Sequence, residues 1–96
     1  EKLSVENILT SSYFEIEKPN IILETLKKTH AENTFIFRLY ESRSINTKTK
    51  LKFNFPIKKA CLTDMLENEQ RKLKINDNSI ELSFGAFEVN TIKIEI

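Results

Sequence analysis

Thr34-Phe35-Ile36-Phe37-Arg38-Leu39-Tyr40-Glu41 is the strongest strand in the chain by content. In an extended backbone, successive side chains point to opposite faces. Phe35, Phe37 and Leu39 then share one face, and Ile36, Arg38 and Tyr40 share the other. Such a segment is apolar on both sides and reads as an interior strand, with charged residues, Arg38 and Glu41, set into it toward its end. Outward from it, Thr47 to Phe55 gives the cleanest alternation, with Leu51, Phe53 and Phe55 inward and Lys50, Lys52 and Asn54 outward. The gap from Glu41 to Thr47 suits a hairpin loop. Upstream, Tyr13 to Glu17 alternates until Pro19-Asn20 breaks it, and the run beginning at Asn20 (Ile21, Ile22, Leu23, Leu26) reads as a further strand.

Downstream, Ile80, Leu82 and Phe84 alternate with Glu81 and Ser83. Phe87 and Val89 are in one phase and Ile92, Ile94 and Ile96 in the other, so a β-bulge or a change of sheet is expected near Asn90-Thr91. Between these strands, Cys61, Leu62, Met65, Leu66 and Leu73 fall near helical spacing among good helix formers, and periodicity alone predicts a helix over 62–74. The chain has one Gly and two Pro. Its turns must therefore rely on Asn, Asp and Ser, as at Asn33-Thr34, Ser44-Ile45-Asn46 and Asn76-Asp77-Asn78-Ser79. Several short alternating strands separated by turns predict an all-β, antiparallel β-sandwich, immunoglobulin-like in size, as a single domain.

Composition bounds the function more than it names it. Ninety-six residues, 40% hydrophobic and 30% charged, make one globular domain. A net charge of +1 exerts no general pull on nucleic acid or anionic lipid. The single Cys61 excludes an internal disulfide framework and fits a reducing compartment. No Asn-x-Ser/Thr acceptor occurs, and no apolar run approaches the roughly 20 residues that span a bilayer. The chain does not begin with Met, which reads as a piece of a longer polypeptide.

Candidate chemistry is sparse. The one histidine, His30, lies in the polar stretch Lys27–Glu32 and reads as a surface turn residue, while Cys61, between Ala60 and Leu62, reads as a small buried hydrophobe. One His and one Cys show no zinc-ligand spacing. Glu41, Asp64, Glu67 and Glu88 are the carboxylates placed for glycosidase-type acid–base work, and each reads better as a strand-end or turn carboxylate paired with Lys or Arg. Residues 42–63 hold no acid yet carry Arg43, Lys48, Lys50, Lys52, Lys58 and Lys59. A polyanion face is one reading. The solvent face of one strand is the stronger one, because the Phe residues that would stack on bases alternate away from the lysines. A carbohydrate platform would need exposed rings, and the chain has no Trp.

The order of Ser12-Tyr13-Phe14, Asn20-Ile21-Ile22-Leu23 leading to Lys27-Lys28, Ile36 to Glu41, Ala60 with Thr63-Asp64-Met65-Leu66-Glu67, and Phe87-Glu88-Val89-Asn90-Thr91-Ile92 resembles the C-terminal β-sandwich domain of α-mannosidases of glycoside hydrolase family 38. The resemblance covers residues 11–96, with 1–10 as linker or the start of the domain. Ser42-Arg43-Ser44 stands where the family often has a small residue and Gly after the Arg-x-Tyr-Glu run, and Ala86 where it often has Pro. The resemblance implies short strands and turns over 62–74, in place of the helix.

It implies further that this chain is a non-catalytic accessory domain of a retaining, zinc-dependent α-mannosidase. The catalytic Asp nucleophile and zinc ligands of such enzymes lie in an N-terminal α/β domain, so no catalytic, cofactor or metal residue is carried over here. The expected partners are the N-terminal catalytic and central domains of the parent, with the α-mannoside substrate reached through it, and neither nucleic acid nor membrane. A glycan- or protein-binding β-sandwich module is the alternative. The Ile, Asn and Lys content suggests an AT-rich bacterial genome, and the missing sequons and disulfides suggest a cytoplasmic enzyme. Arg38, Glu41, Asp64 and Glu88 are the structural candidates. Arg38 is expected either to pair with a carboxylate (Glu88, Asp64 or one of the parent domain) or to reach solvent, with Glu41, at a strand end.

Overall fold

A computed structural model describes residues 14–31, 33–64, 66 and 68–96. The expected linker at 1–10, Ser11-Ser12-Tyr13, Glu32, Met65 and Glu67 lie outside the described residues. Eight strands follow in order: β1 (Phe14–Ile16), β2 (Ile21–Lys28), β3 (Thr34–Glu41), β4 (Thr47–Phe53), β5 (Lys59–Thr63), β6 (Glu69–Lys72), β7 (Ser79–Phe84) and β8 (Val89–Glu95). They form two antiparallel sheets, ordered β1-β4-β7 and β2-β3-β8-β5-β6. The all-β antiparallel sandwich expected from the sequence is the fold observed.

The opening stretch is β3, bonded to β2 on one edge and β8 on the other. Its alternation explains that place. Phe35, Phe37 and Leu39 enter the core, while Ile36, at 0% exposed, is also buried on the opposite face of the sheet. From the facing sheet come Leu51 and Phe53 of β4, and Ile80, Leu82 and Phe84 of β7; Ile92 and Ile94 of β8 and Ala60 of β5 complete the layer. The β4 alternation persists past the strand, since Phe55 and Ile57 are buried and Asn54 and Pro56 exposed. Each large apolar side chain withdrawn from water in this way stabilises the fold by roughly 1.5–3 kcal/mol.

Three sequence expectations are corrected. The link from Glu41 to Thr47 is not a hairpin but a crossing between sheets: both edges of β3 are already taken, so β4 pairs with β1 and β7. The bulge expected at Asn90-Thr91 is absent, the β3–β8 register running unbroken from Thr34↔Glu95 to Tyr40↔Val89. The apparent phase change arises because Val89 faces outward and Phe87 is in a turn, with φ of 58°. The irregularities lie instead between Leu23 and Thr25, where Glu24 is the extra residue, and between Leu62 and Thr63. Among the described residues of 62–74 no helix forms; β5 and β6 with a turn between them occupy the stretch, as the resemblance implied. Of the helix-spaced residues that are described, Cys61 is buried and Leu66 81% exposed, so they do not share one face. Asn33, Ser44, Asp77 and Asn78 do take positive φ at turns, as the scarcity of glycine required.

Candidate functional site

Alternation places the Glu41 side chain in phase with Phe35, Phe37 and Leu39, at the end of the gap between the sheets. It is 0% exposed, a buried carboxylate. Burying such a charge is costly unless its lone pairs are filled. Here they are filled by N–H groups from three chain segments. The Oε2 atom accepts from Asn20 Nδ2 at 2.8 Å and the Arg43 amide at 2.8 Å. The Oε1 atom accepts from the Ile45 amide at 3.1 Å and the Phe87 amide at 3.0 Å. Burial pushes the carboxyl up, but the Phe87 amide, the Asn20 side chain and the Arg43 and Ile45 amides outweigh it, and the pKa falls from 4.5 to about 2.

The surrounding bonds tie the same segments again. Asn20 Nδ2 also donates to Thr47 Oγ1 at 2.7 Å, and the Asn20 carbonyl accepts from the Ser42 amide and hydroxyl. The Glu41 amide donates to the Glu88 carbonyl at 3.0 Å. Asn46 Oδ1 accepts from the Ala86 amide at 3.1 Å, and Glu88 Oε1 accepts from the Gly85 amide at 2.7 Å. The β1–β2, β3–β4 and β7–β8 links are therefore joined around one carboxylate.

The four sequence candidates do not form one cluster. Asp64 organises the β5–β6 turn: Oδ1 accepts from the Leu66 and Asn68 amides, both at 2.9 Å, and Oδ2 from the Asn68 and Gln70 side chains at 3.3 Å. The Asn68 amide is the largest influence on its carboxyl and, against some burial, helps hold it below the usual range. Arg38 makes no ion pair with Glu88 or Asp64; its Nε donates to Thr91 Oγ1 at 3.2 Å across the β3–β8 pair. The register explains this, because Thr91 stands opposite Arg38 while Glu88 precedes β8 and Asp64 follows β5. Arg38 is half-buried and Glu41 is buried, so the pair does not reach solvent together. Arg38→Ala should cost no more than about 1.5 kcal/mol, the net worth of one hydrogen bond. Urea denaturation of the chain checks this, and a larger loss would require a partner for Arg38 that this arrangement lacks.

Sequence reading placed Glu41 at a strand end but missed Asn20 and the Phe87 amide as its partners. The signal available was Asn20 at the start of a strand, beside a glycine-poor loop obliged to bond to side chains. Cys61 is buried on the outer face; burial pushes its thiol up, and the nearby Glu69 carboxylate adds to that. Glu69 pairs with Lys59 at 3.5 Å and Lys93 at 3.7 Å, and the Lys59 ammonium is the main cause holding its carboxyl below the usual range. Among the described residues no three His, Cys, Asp or Glu side chains group as metal ligands. The donor set does not fit zinc: the Glu41 and Asp64 oxygens already accept N–H bonds, and Cys61 is buried with its thiol pushed up.

The outer faces of the two sheets differ. The three-stranded sheet pairs Lys50 with Glu81, Lys52 with Glu15 and Lys48 with Ser83. The five-stranded sheet carries rows across its strands: Thr25, Arg38, Thr91 and Thr63 form one, and Ile22, Tyr40 and Val89 the next. Phe87, 63% exposed, follows that second row.

Two packed antiparallel sheets, pinned at one end by a buried acid, define an all-β sandwich domain. The chain belongs to the family whose model is described as the glycosyl hydrolases family 38 C-terminal beta sandwich domain, which matches residues 20–92. It is 32% identical over 88 residues to alpha-mannosidase 2C1 of Mus musculus, covering 86% of this chain and 8% of that protein. It is 30% identical over 83 residues to alpha-mannosidase 2C1 of Homo sapiens, covering 81% of this chain and 8% of that protein. The chain thus spans about 8% of the length of the curated relatives it matches.

Proposed function

We propose that this chain is a non-catalytic accessory domain of a longer, cytoplasmic, retaining α-mannosidase. The observation that carries this reading is what its acids do. Glu41, Asp64 and Glu88 each accept hydrogen bonds from loop amides. A general acid or nucleophile needs a carboxyl within reach of a glycosidic oxygen or anomeric carbon. The Glu41 oxygens are occupied and shut away from solvent. Zinc ligands and the nucleophile then come from elsewhere in the parent polypeptide, and this domain supplies framework. The family and the small share of each relative that the chain covers both support the reading.

The 96-residue chain is expected to give no turnover of an aryl α-mannoside under conditions in which the full-length protein hydrolyses it. Turnover by the chain itself, abolished by Glu88→Gln, would overturn the accessory reading. The exposed ring of Phe87, with half-buried Tyr40 near it, favours a second reading, a glycan- or protein-binding module, which requires the chain alone to bind mannose oligosaccharides in a calorimetric titration.

A further inference from the structure

Among the described residues, Leu66 and Ile45 are exposed singly on turns, whereas Ile22, Phe87 and Val89 lie together. Ile22, Tyr40 and Val89 stand side by side on three adjacent strands, in register as Ile22↔Tyr40 and Tyr40↔Val89. Val89 is 42% exposed, and Phe87 lies just beyond it. With Leu23, Glu24 and Glu41, these residues line a shallow cavity of about 480 Å³. The other sheet presents alternating lysines and glutamates, the expected dress of a solvated face. Tyr40 is half-buried, its ring packed in the row between Ile22 and Val89. A tyrosine so placed presents an apolar body with a polar tip, the combination enriched at interfaces.

Phe87 adds a second, independent observation. A bulky residue at a φ of 58° occupies a sparsely populated region, which persists only when its surroundings over-determine it. Here the Phe87 amide is fixed by Glu41 Oε1 at 3.0 Å, and the Glu88 amide by the Gly85 carbonyl at 3.0 Å. The buried carboxylate thereby holds an aromatic ring outward instead of letting it fold onto the core.

We infer that Ile22, Tyr40, Phe87 and Val89 form the face by which this sandwich seats on the remainder of its own polypeptide, with Phe87 as anchor and Glu41 as the residue positioning it. This rests on the accessory-domain reading. The partner surface is an apolar socket that accepts a ring and offers an acceptor to the Tyr40 hydroxyl. Four side chains are too little for a stable complex between separate molecules, which buries roughly 800 Å² on each partner. A segment tethered to its partner works at high effective concentration and needs less. Some nine-tenths of the length of each matched relative lies outside the matched stretch, so covalently linked partner surface is abundant. A sugar platform is the poorer fit, since Ile22 and Val89 flank the rings with aliphatic surface where sugar hydroxyls would need polar partners.

Hydroxyl-radical footprinting of the full-length protein tests this, with each side chain's labelling normalised to its intrinsic reactivity. Phe87 and Tyr40 are expected to be protected much as the buried Phe53 is, despite the exposure of Phe87 in this domain. Phe87→Asp should raise Tyr40 and Val89 labelling severalfold, whereas Lys50→Glu on the opposite sheet should leave it unchanged. Strong Phe87 labelling in the full-length wild type overturns the inference. If another face of the sandwich is then the protected one, the accessory reading stands while this seat falls; if no face is protected, both fall. Protection that grows with protein concentration would assign the patch to a second copy. Protection that appears only on adding mannose oligosaccharide would assign it to a glycan. Either result overturns the proposed occupant.

Discussion

Glu41→Ala is expected to lower the Tm of the chain by on the order of 15 °C, among the largest effects of any polar substitution in it. The change does more than remove one acceptor. It leaves the Arg43, Ile45 and Phe87 amides, all part-buried, and one buried Asn20 N–H without their partner. An unsatisfied buried donor costs more than the bond it made was worth. Glu41→Gln is milder but still damaging. Its NH₂ group must face one pair of these donors, whichever way the amide turns. Glu41→Gln also separates charge from shape through pH. The folded pKa of Glu41, about 2, lies below its ordinary 4.5, so the unfolded chain takes up the proton first. The stability contributed by ionised Glu41 is therefore complete above about pH 4.5 and drains as pH falls toward about 2. Asp64 and Glu69, both held low, add in the same direction. Thermal melts of wild type and Glu41→Gln between pH 7 and pH 2.5 should converge as the pH drops. Parallel curves at a constant offset would show that the charge contributes nothing. Equal Tm values at pH 7 would refute the clamp altogether.

The same residue shows what the sequence made legible. Alternation in β3 and β4, and the turn chemistry of Asn33, Ser44, Asp77 and Asn78, could be read directly because each depends on near neighbours in the chain. Sheet assignment could not. The link after Glu41 would serve equally as a hairpin or a crossing, and the outcome is decided by β2 and β8 occupying the edges of β3, which is a long-range fact. The Asn90-Thr91 misreading has a related origin. An outward-facing Val89 and a turn residue Phe87 imitate a phase slip when every apolar side chain is presumed to face the core. Over 62–74, helical spacing was genuine as a pattern, but it indexed residues on different faces of two strands and a turn. Glu41 could be singled out as a charge ending an apolar strand. Its partners could not, because Asn20, Ile45 and Phe87 converge only once the ends of two sheets are folded over each other. Arg38 was expected either to seek a carboxylate or to reach solvent, and within this domain the cross-strand register gives its Nε a threonine hydroxyl.

Phe53→Ala is the apolar counterpart and should approach the limit of what the domain tolerates. Phe53 is buried, and its ring lies 5.2 Å from Phe14, 5.6 Å from Phe37 and 5.6 Å from Phe55, measured between centroids. Truncating a buried Phe costs about 3–5 kcal/mol, while a domain of this size has roughly 5–14 kcal/mol in total. Position matters as much as volume. Among the described strands the two sheets share no hydrogen-bonded pair, so β1-β4-β7 is held to β2-β3-β8-β5-β6 mainly by side chains and loops. Phe53 of β4 meets Phe37 of β3 edge-on across that gap, at an interplanar angle of 83°. Edge-to-face pairs add about 0.5–1.5 kcal/mol beyond the area they bury. Phe55 lies nearer the surface, beyond the end of β4, so Phe55→Ala should cost less. Phe53→Leu, which keeps most of the volume but loses the ring edges, should fall between them. Urea denaturation of the three variants should give midpoints in the order Phe55→Ala, Phe53→Leu, Phe53→Ala, from highest to lowest, with a common slope. If Phe53→Ala is no worse than Phe55→Ala, the aromatic cluster does not bridge the sheets, and their cohesion must come from the aliphatic layer of Leu51, Ile80, Ile92 and Ile94.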